Sequence, residues 1–438
     1  MDGVVTMNEQ EHPFLHEGLA VRLSREGCQI RRLERIDDIV QLGGSAHLFL
    51  RLMTGRRSVA SILDTVASQT DVDRATLAAD LDELWAGLSG RGLAGSSPAP
   101  TGEHDHPYLG VVADELRSTI HVDITHRCNE KCIHCLVPRD QQQITTDDIR
   151  DLMTQAAQLG FVGLAFSGGE PTLHPDFWQI LQLSRGLGFY FTVFTNGLTL
   201  AEEGVARLAS FRPEQVRISI YSMDPETHDQ LTTIPGSFAR TMRSILGLKE
   251  AGVRIYVNSP ITNRNFDRFR AIAALCEEHG FERNLDPVVQ PTRDRTNFHS
   301  ELQLTYEQAR DVTGFQQDAA ELVVNVQPGV PVCNVGDDPS VDAMLNVYPC
   351  PGLRLVLGNL RDQPLGQLVV HHPLLPELRG LSLDNLEVCQ RCNVRDGCYR
   401  CHGHPYQESG DYRLCASMDR RQARIRRELM VERGTRKA

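Results

Sequence analysis

Twelve cysteines in a chain of 438 residues constrain the fold more than any other feature, because of where they stand. Cys128, Cys132 and Cys135 form a tight triplet. Cys333, Cys350, Cys389, Cys392, Cys398, Cys401 and Cys415 crowd the last quarter, and Cys28 and Cys276 are isolated. Clustered thiols serve either as disulfide staples or as metal ligands, and staples belong to oxidising compartments. The opening MDGVVTMNEQEHP is acidic and polar where a secretory signal would be basic and then apolar. No stretch approaches the roughly 18–20 uncharged apolar residues of a membrane span. The chain is therefore read as cytoplasmic, with no membrane partner and with its clustered cysteines bound to metal. Cys28 and Cys276 remain as ordinary apolar thiols.

With 41% hydrophobic and 23% charged residues the chain can bury several cores, which at this length means two or three domains. Forty-five Lys+Arg against 57 Asp+Glu leave a net charge of −12, the wrong sign for a nucleic-acid partner. Residues 12 to 95 read as a small α+β module. AVRLSREGCQIRRLERIDDIVQL alternates as two or three short strands, and SAHLFLRLM, SVASILDTVASQT and DRATLAADLDELWAGLSGRGL follow as helices. Leu77, Leu81, Leu84 and Leu88 on the last of these form a core stripe. SSPAPTGEHDHP is a linker by composition. From about 118, six β-rich runs (TIHVDIT, GLAFS, FTVFT, VRISIY, VRIYVN and NLDPVVQ) alternate with amphipathic helices, which predicts a partial (β/α)6 barrel with ligands at the C-terminal ends of its strands. After about 326 the periodicity fades into a Cys-, Gly- and Pro-rich segment that ends in a basic, solvated helix, DRRQARIRRELMVER. The expected domains are 1–100, 115–310 and 326–438.

The triplet lies in HVDITHRCNEKCIHCLVP, directly after the first barrel strand. Three thiolates at these spacings can converge on one iron–sulfur cube and leave one of its four irons open to a substrate or cofactor. A zinc site is the alternative, and its nearest fourth donor is His134.

The spacing CysX3CysX2Cys after strand one of a six-unit barrel resembles the signature of radical S-adenosylmethionine (SAM) enzymes. Other motifs of that superfamily follow in order. Ser167, Gly168, Gly169 and Glu170 of SGGEP resemble the loop that binds the SAM amino group. Thr195 and Asn196 of TNG end strand three, Ser219 ends strand four where the family contacts the SAM carboxylate or ribose, and Asn258 on strand five is a further candidate. PGSF at 235–238 resembles the turn into the next helix. Many relatives carry Arg-Gly just before it, whereas this chain has Thr232 and Thr233. The resemblance implies a reduced [4Fe–4S] cluster on the triplet that cleaves SAM to methionine and a 5′-deoxyadenosyl radical. It also implies a flavodoxin- or ferredoxin-like electron donor.

The seven late cysteines resemble the SPASM extension, which carries two auxiliary [4Fe–4S] clusters and so brings the total to three. By resemblance Cys389, Cys392, Cys398 and Cys415 hold the outer one, and Cys333, Cys350 and Cys401 the inner one. The inner cluster's fourth position is left to Asp337, a solvent molecule or the substrate. Two details depart from the pattern: Cys398 and Cys401 are separated by X2 where X3 is usual, and Leu345 stands where a glycine is expected. A zinc ribbon is the alternative for these thiols. The first hundred residues resemble the winged-helix-like PqqD element that adds a leader peptide as an extra strand. Ten Arg, no Lys and fourteen acidic residues there, a net of −4, weigh against a DNA-binding winged helix. Jointly the resemblances imply an enzyme that oxidatively modifies a ribosomally made, leader-bearing precursor peptide, forming a thioether, carbon–carbon or carbon–oxygen cross-link. They name no catalytic acid or base. A radical SAM enzyme acting on a small molecule such as a tetrapyrrole, and a zinc-rich winged-helix regulator, are the other readings.

Overall fold

The computed structural model describes residues 6–17, 19–32, 39–43, 45–101, 104, 106, 111–317, 321–322, 329–331 and 333–435. The chain divides into two compact units. One comprises Met1–Ser118, Arg150–Gly163 and Leu181–Tyr190, the other Thr119–Ile149, Leu164–Ile180 and Phe191–Ala438.

The first unit begins with β1 (His12–Leu15), β2 (Leu19–Ser24), β3 (Gly27–Arg32) and β4 (Ile39–Gly43), continues through α1 (Ala46–Leu50), α2 (Val59–Ala67) and α3 (Arg74–Gly90), and returns as β5 (Ala94–Ser97) and β6 (Val112–Ala113). The alternating run folds as an antiparallel ladder of β2, β3 and β4, and among the described residues the sheet order is β4-β3-β2-β6, which leaves β4 at one edge. Side-chain oxygens of Ser58 and Asp73 accept the first free amides of α2 and α3 and so fix where those helices start. On α3 the buried face is Leu77, Leu81, Trp85 and Leu88. Leu84 is only partly buried, because the face is rotated toward the larger indole. Cys28 and Cys276 are both fully buried, and burial pushes each thiol up to about 11.

The expected linker is partly structural. Ser96 and Ser97 pair with β1, the Thr101 amide donates to the Gly55 carbonyl at 2.8 Å, His104 stacks on Phe14 with ring centroids 3.8 Å apart, and His106 Nε2 meets the Leu15 carbonyl at 3.0 Å. The described residues of this polar run therefore pack on the module and carry it past residue 100. Within the same unit Arg22, 3% exposed, donates to the carbonyls of Phe161 (3.1 Å) and Leu187 (2.7 Å) and stacks its guanidinium over Phe189.

Six strands follow the expected βα rhythm: β7 (Arg117–Thr125), β8 (Phe161–Gly168), β9 (Tyr190–Thr195), β10 (Gln215–Ser219), β11 (Ile255–Pro260) and β12 (Glu282–Asp286). Between and after them run α4 (Thr146–Gln158), α5 (Phe177–Gly186), α6 (Glu202–Ser210), α7 (Pro225–Thr232), α8 (Ser237–Glu250), α9 (Phe269–His279) and α10 (Tyr306–Gln316). The strands are neighbours in sequential order, and β9 through β12 pair in parallel, as a partial (β/α) barrel requires. The last expected strand, NLDPVVQ, starts earlier and stops at Asp286, because Pro287 cannot donate to a ladder.

Three strands in the tail have no counterpart in the sequence reading: β13 (Ser340–Val341), β14 (Asn346–Tyr348) and β15 (Gly358–Asn359). β13 runs parallel to β7, with Ser340 opposite His121, so the sheet continues to nine strands among the described residues. Strands of two or three residues are too short to show a period. The tail ends in α11 (Leu365–Val369), α12 (Leu375–Arg379), α13 (Glu387–Gln390), α14 (Gly403–Ser409) and α15 (Ser417–Glu432). Among the described residues no helix is long and apolar enough to cross a membrane.

Candidate radical SAM site and auxiliary cysteines

Thr125 closes β7, and the chain then leaves the sheet into the cysteine loop. Backbone bonds from Lys131 to the Thr232 carbonyl (3.1 Å) and from Ile133 to the Leu231 carbonyl (3.0 Å) pin this loop to the end of α7. There Thr233 adopts φ 62°, a left-handed conformation that usually falls to glycine, and it occupies the glycine position of the family's Arg-Gly pair. Thr232 is fully buried and bonds Ser237 at 2.7 Å, so its hydroxyl serves the loop.

Burial pushes the Cys128 thiol up to about 12 and the Cys132 thiol well above its ordinary value. In the metal-free protein both are protonated, so loading them with metal must release protons. The Cys132 thiol donates to Glu130 Oε2 at 3.1 Å and lies 3.9 Å from the buried Tyr221 hydroxyl. Desolvation raises Glu130 to about 7. The Asn196 amide reaches Cys128 Sγ at 3.8 Å and Asn129 Oδ1 at 2.7 Å.

All three thiols open on a cavity of about 320 Å³, within the size range of small-molecule sites. Ser167, Gly168, Gly169, Thr195, Asn196, Ser219 and Asn258 line it, at the C-terminal ends of β8 through β11. Ser219 lies directly opposite Asn258, and Asn258 opposite Asn284, so a row of polar side chains crosses three strand ends. Glu170 stands behind this wall, fully buried. Its Oε1 accepts from Thr172 and Thr195 and its Oε2 from the Asn196 amide at 2.7 Å. In the protein alone this carboxylate ties the β8 loop to the β9 loop. The glycines beside it allow close backbone contact. A Cβ on Gly168 would fall 2.1 Å from the Thr125 carbonyl and one on Gly169 2.3 Å from that of Arg127, so both press the SGGEP turn against the cysteine loop.

The cavity has further lining beyond the residues expected to contact SAM. His134 packs edge-on to Tyr221 at 4.5 Å, and burial holds its imidazole neutral, down to about 4. Asp286, raised by burial, ends β12, and Arg293 is ion-paired to the buried Asp123. Glu130 sits between the cysteines and Tyr221 two residues beyond Ser219, so both stood inside quoted motifs. Asp286 stood inside the sixth strand run and Arg293 just beyond it, and neither carried a motif.

The late thiols stand in two groups. Cys333, Cys350 and Cys401 interact with one another, and Cys389, Cys392, Cys398 and Cys415 do likewise. Gly403 permits the first grouping, since a Cβ there would meet the Gly352 carbonyl at 2.1 Å. The buried Arg400 supports the second, reaching Cys389 Sγ at 3.6 Å and the Tyr412 carbonyl at 2.9 Å. Asp337 does not stand free beside the first group, because its carboxylate accepts from Arg379 Nε at 3.0 Å and is largely exposed. Leu345 adopts φ 68° and so keeps the left-handed backbone of the glycine expected there. Among the described residues no three His, Cys, Asp or Glu side chains are close enough to clasp a single metal ion, whereas a four-iron cube holds its ligands further apart.

This fold and site define a radical SAM enzyme. Residues 122–276 match the radical SAM superfamily and residues 20–94 match coenzyme PQQ synthesis protein D (PqqD), so the chain carries a radical SAM domain behind a PqqD-like one. The regulator reading falls with that match. The domain implies a [4Fe–4S] cluster and SAM, and the donor set fits them: three thiols on one loop face a cavity at the strand ends. Among curated relatives, the AdoMet-dependent heme synthase of Methanosarcina barkeri is 25% identical, covering 66% of this chain and 92% of its own. That of Oleidesulfovibrio alaskensis is 23% identical, covering 66% and 84%. Among solved structures, Streptococcus suis SuiB bound to precursor peptide SuiA superposes with a TM-score of 0.59 at 14% identity, over 91% of this chain and 97% of that one. anSMEcpe with bound AdoMet and Cp18Cys peptide gives 0.56 at 18% identity, over 72% and 98%. At these identities the likeness to the two structures is one of fold.

Proposed function

We propose that this enzyme oxidatively modifies a leader-bearing precursor peptide. Cys128, Cys132 and Cys135 would hold the SAM-binding [4Fe–4S] cluster. Ser167, the backbone of Gly168 and Gly169, Thr195, Asn196, Ser219 and Asn258 would contact SAM, with Glu170 holding that wall from behind. When bound and reduced, the pair supplies a 5′-deoxyadenosyl radical able to take hydrogen from an unactivated carbon. A product short of two hydrogens also requires an electron to leave. The inner cysteines Cys333, Cys350 and Cys401 and the outer Cys389, Cys392, Cys398 and Cys415 would hold the two auxiliary clusters that accept it. A flavodoxin- or ferredoxin-like donor would reduce the enzyme. The domains 1–100, 115–310 and 326–438 would divide leader recognition, radical chemistry and electron transfer, with the first extended by the linker residues that pack on it.

The observation that carries the chemistry is the cavity on which the triplet and five strand ends converge. For the substrate it is the edge strand β4 in the PqqD-like sheet, where an extended leader can add as one more strand. Adding precursor should slow amide exchange in Ile39–Gly43. Gln41→Pro, which removes a ladder donor from this edge, should weaken peptide binding while leaving SAM cleavage intact. Unchanged exchange in β4 under saturating peptide counts against the leader site.

The heme synthase relatives favour a second reading, with a tetrapyrrole as substrate. It leaves the PqqD-like domain without a use.

A further inference from the structure

We propose that His404 is the fourth protein ligand of the inner auxiliary cluster, binding through Nε2 beside Cys333, Cys350 and Cys401. The proposal rests on the reading that these three thiols hold a four-iron cube.

Three thiols leave one corner of a cube unligated, and Asp337 is already bonded to Arg379. His404 lies in α14, three residues after Cys401; its backbone amide donates to the Cys401 carbonyl at 3.3 Å, and its imidazole is close enough to the Cys401 thiol for each to act electrostatically on the other. The opposite edge of the ring is fixed: Nδ1 bonds Asp419 Oδ1 at 2.6 Å, and both side chains are buried, with 13% and 5% of their surface exposed. Among the described residues Asp419 Oδ2 has no hydrogen-bond partner, so there this carboxylate hydrogen-bonds the imidazole alone. With Nδ1 occupied, the nitrogen left for the sulfur side is Nε2. A carboxylate behind an imidazole whose other nitrogen faces a metal position is a recurrent support for a histidine ligand, fixing its tautomer and orientation. The site also adjoins the reaction cavity, since His404 lies within electrostatic reach of Asp286 on the cavity wall.

His402 is the competing donor. It occupies the position where the usual X3 spacing would put a cysteine, and its Nε2 is buried without a partner. Its Nδ1, however, faces the Tyr412 carbonyl and Arg400 Nε, both at 3.3 Å, and its link to the thiols is a backbone amide on Cys333.

A neutral imidazole in place of a thiolate removes a negative charge from the cluster and raises its potential, as histidine ligation does in Rieske centres. That suits an electron acceptor. It also fills the corner that the substrate would otherwise occupy, so saturating precursor should leave the auxiliary resonance signal unchanged.

The test is pulsed electron paramagnetic resonance on the reduced, fully loaded enzyme without SAM, grown with ordinary and with 15N-labelled histidine. We expect a directly bound nitrogen coupling that follows the label, persists in His402→Gln and disappears in His404→Cys. The cysteine variant should keep all its iron and titrate at a more negative potential. Absence of that coupling in the native enzyme, its loss in His402→Gln, or its survival in His404→Cys overturns the assignment, and the labelled native protein decides the matter even if the variant fails to fold. Intact peptide modification without a nitrogen signal defeats the ligand alone, whereas auxiliary thiols that bind no iron defeat the reading beneath it.

Discussion

Leu345 takes a backbone conformation that disfavours side chains, at roughly 1–2 kcal/mol, yet it is 2% exposed and its burial is worth about 2–3 kcal/mol. Leu345→Gly should therefore be less damaging than Leu345→Ala by about 1 kcal/mol, although it removes more atoms, because glycine alone releases the strain. Chemical denaturation checks the order. His228 is buried against Tyr221, bonds Ser237 at 3.0 Å, and is pushed down to about 4 by burial, with Asp229 acting weakly against that shift. A depressed imidazole is neutral when folded and takes a proton when unfolded. Its contribution is thus whole above pH 6.5 and is lost as the pH falls from 6.5 toward 4, by up to about 3 kcal/mol. His228→Gln should flatten that stretch of the stability–pH curve; a parallel curve would contradict the placement. At this scale the motifs showed which residues sit at the site but not how each is used. SGGEP placed Glu170 beside SAM, while its oxygens are spent on Thr172, Thr195 and Asn196, a pairing that exists only once two loops meet.

Elements were legible in proportion to their length. The βα rhythm from 118 was readable because each of the six strands runs for five residues or more, whereas β13–β15 are two or three residues long, show no period, and extend the sheet from the edge of β7 through β13. The linker reading failed where composition and contact disagree, since Ser96, Ser97, His104 and His106 belong to a polar run yet pair with or contact β1. Arg22 was unremarkable in the sequence because its partners, the carbonyls of Phe161 and Leu187, lie more than 130 residues away. Arg22→Met keeps the apolar stem and strands both carbonyls, which should cost about 1–3 kcal/mol and lower the melting temperature. An unchanged transition would show that solvent reaches those groups.

Across the whole molecule the distribution of cysteines determines what can be counted. The three proposed cubes, on ten thiols and one histidine, would give roughly twelve iron and twelve sulfide per chain after anaerobic loading. Changing Cys128, Cys132 and Cys135 together to Ala should remove about a third of them and abolish SAM cleavage. The most direct test of the central claim is the mass of candidate precursor peptides, taken from short reading frames sought beside the gene, after incubation with reduced, loaded enzyme and SAM, measured together with 5′-deoxyadenosine. The expected result is a peptide lighter by two hydrogens per event, formed in step with 5′-deoxyadenosine and absent with Gln41→Pro at low peptide concentration. An unaltered peptide, alongside 5′-deoxyadenosine release that rises on adding a porphyrin, would contradict it.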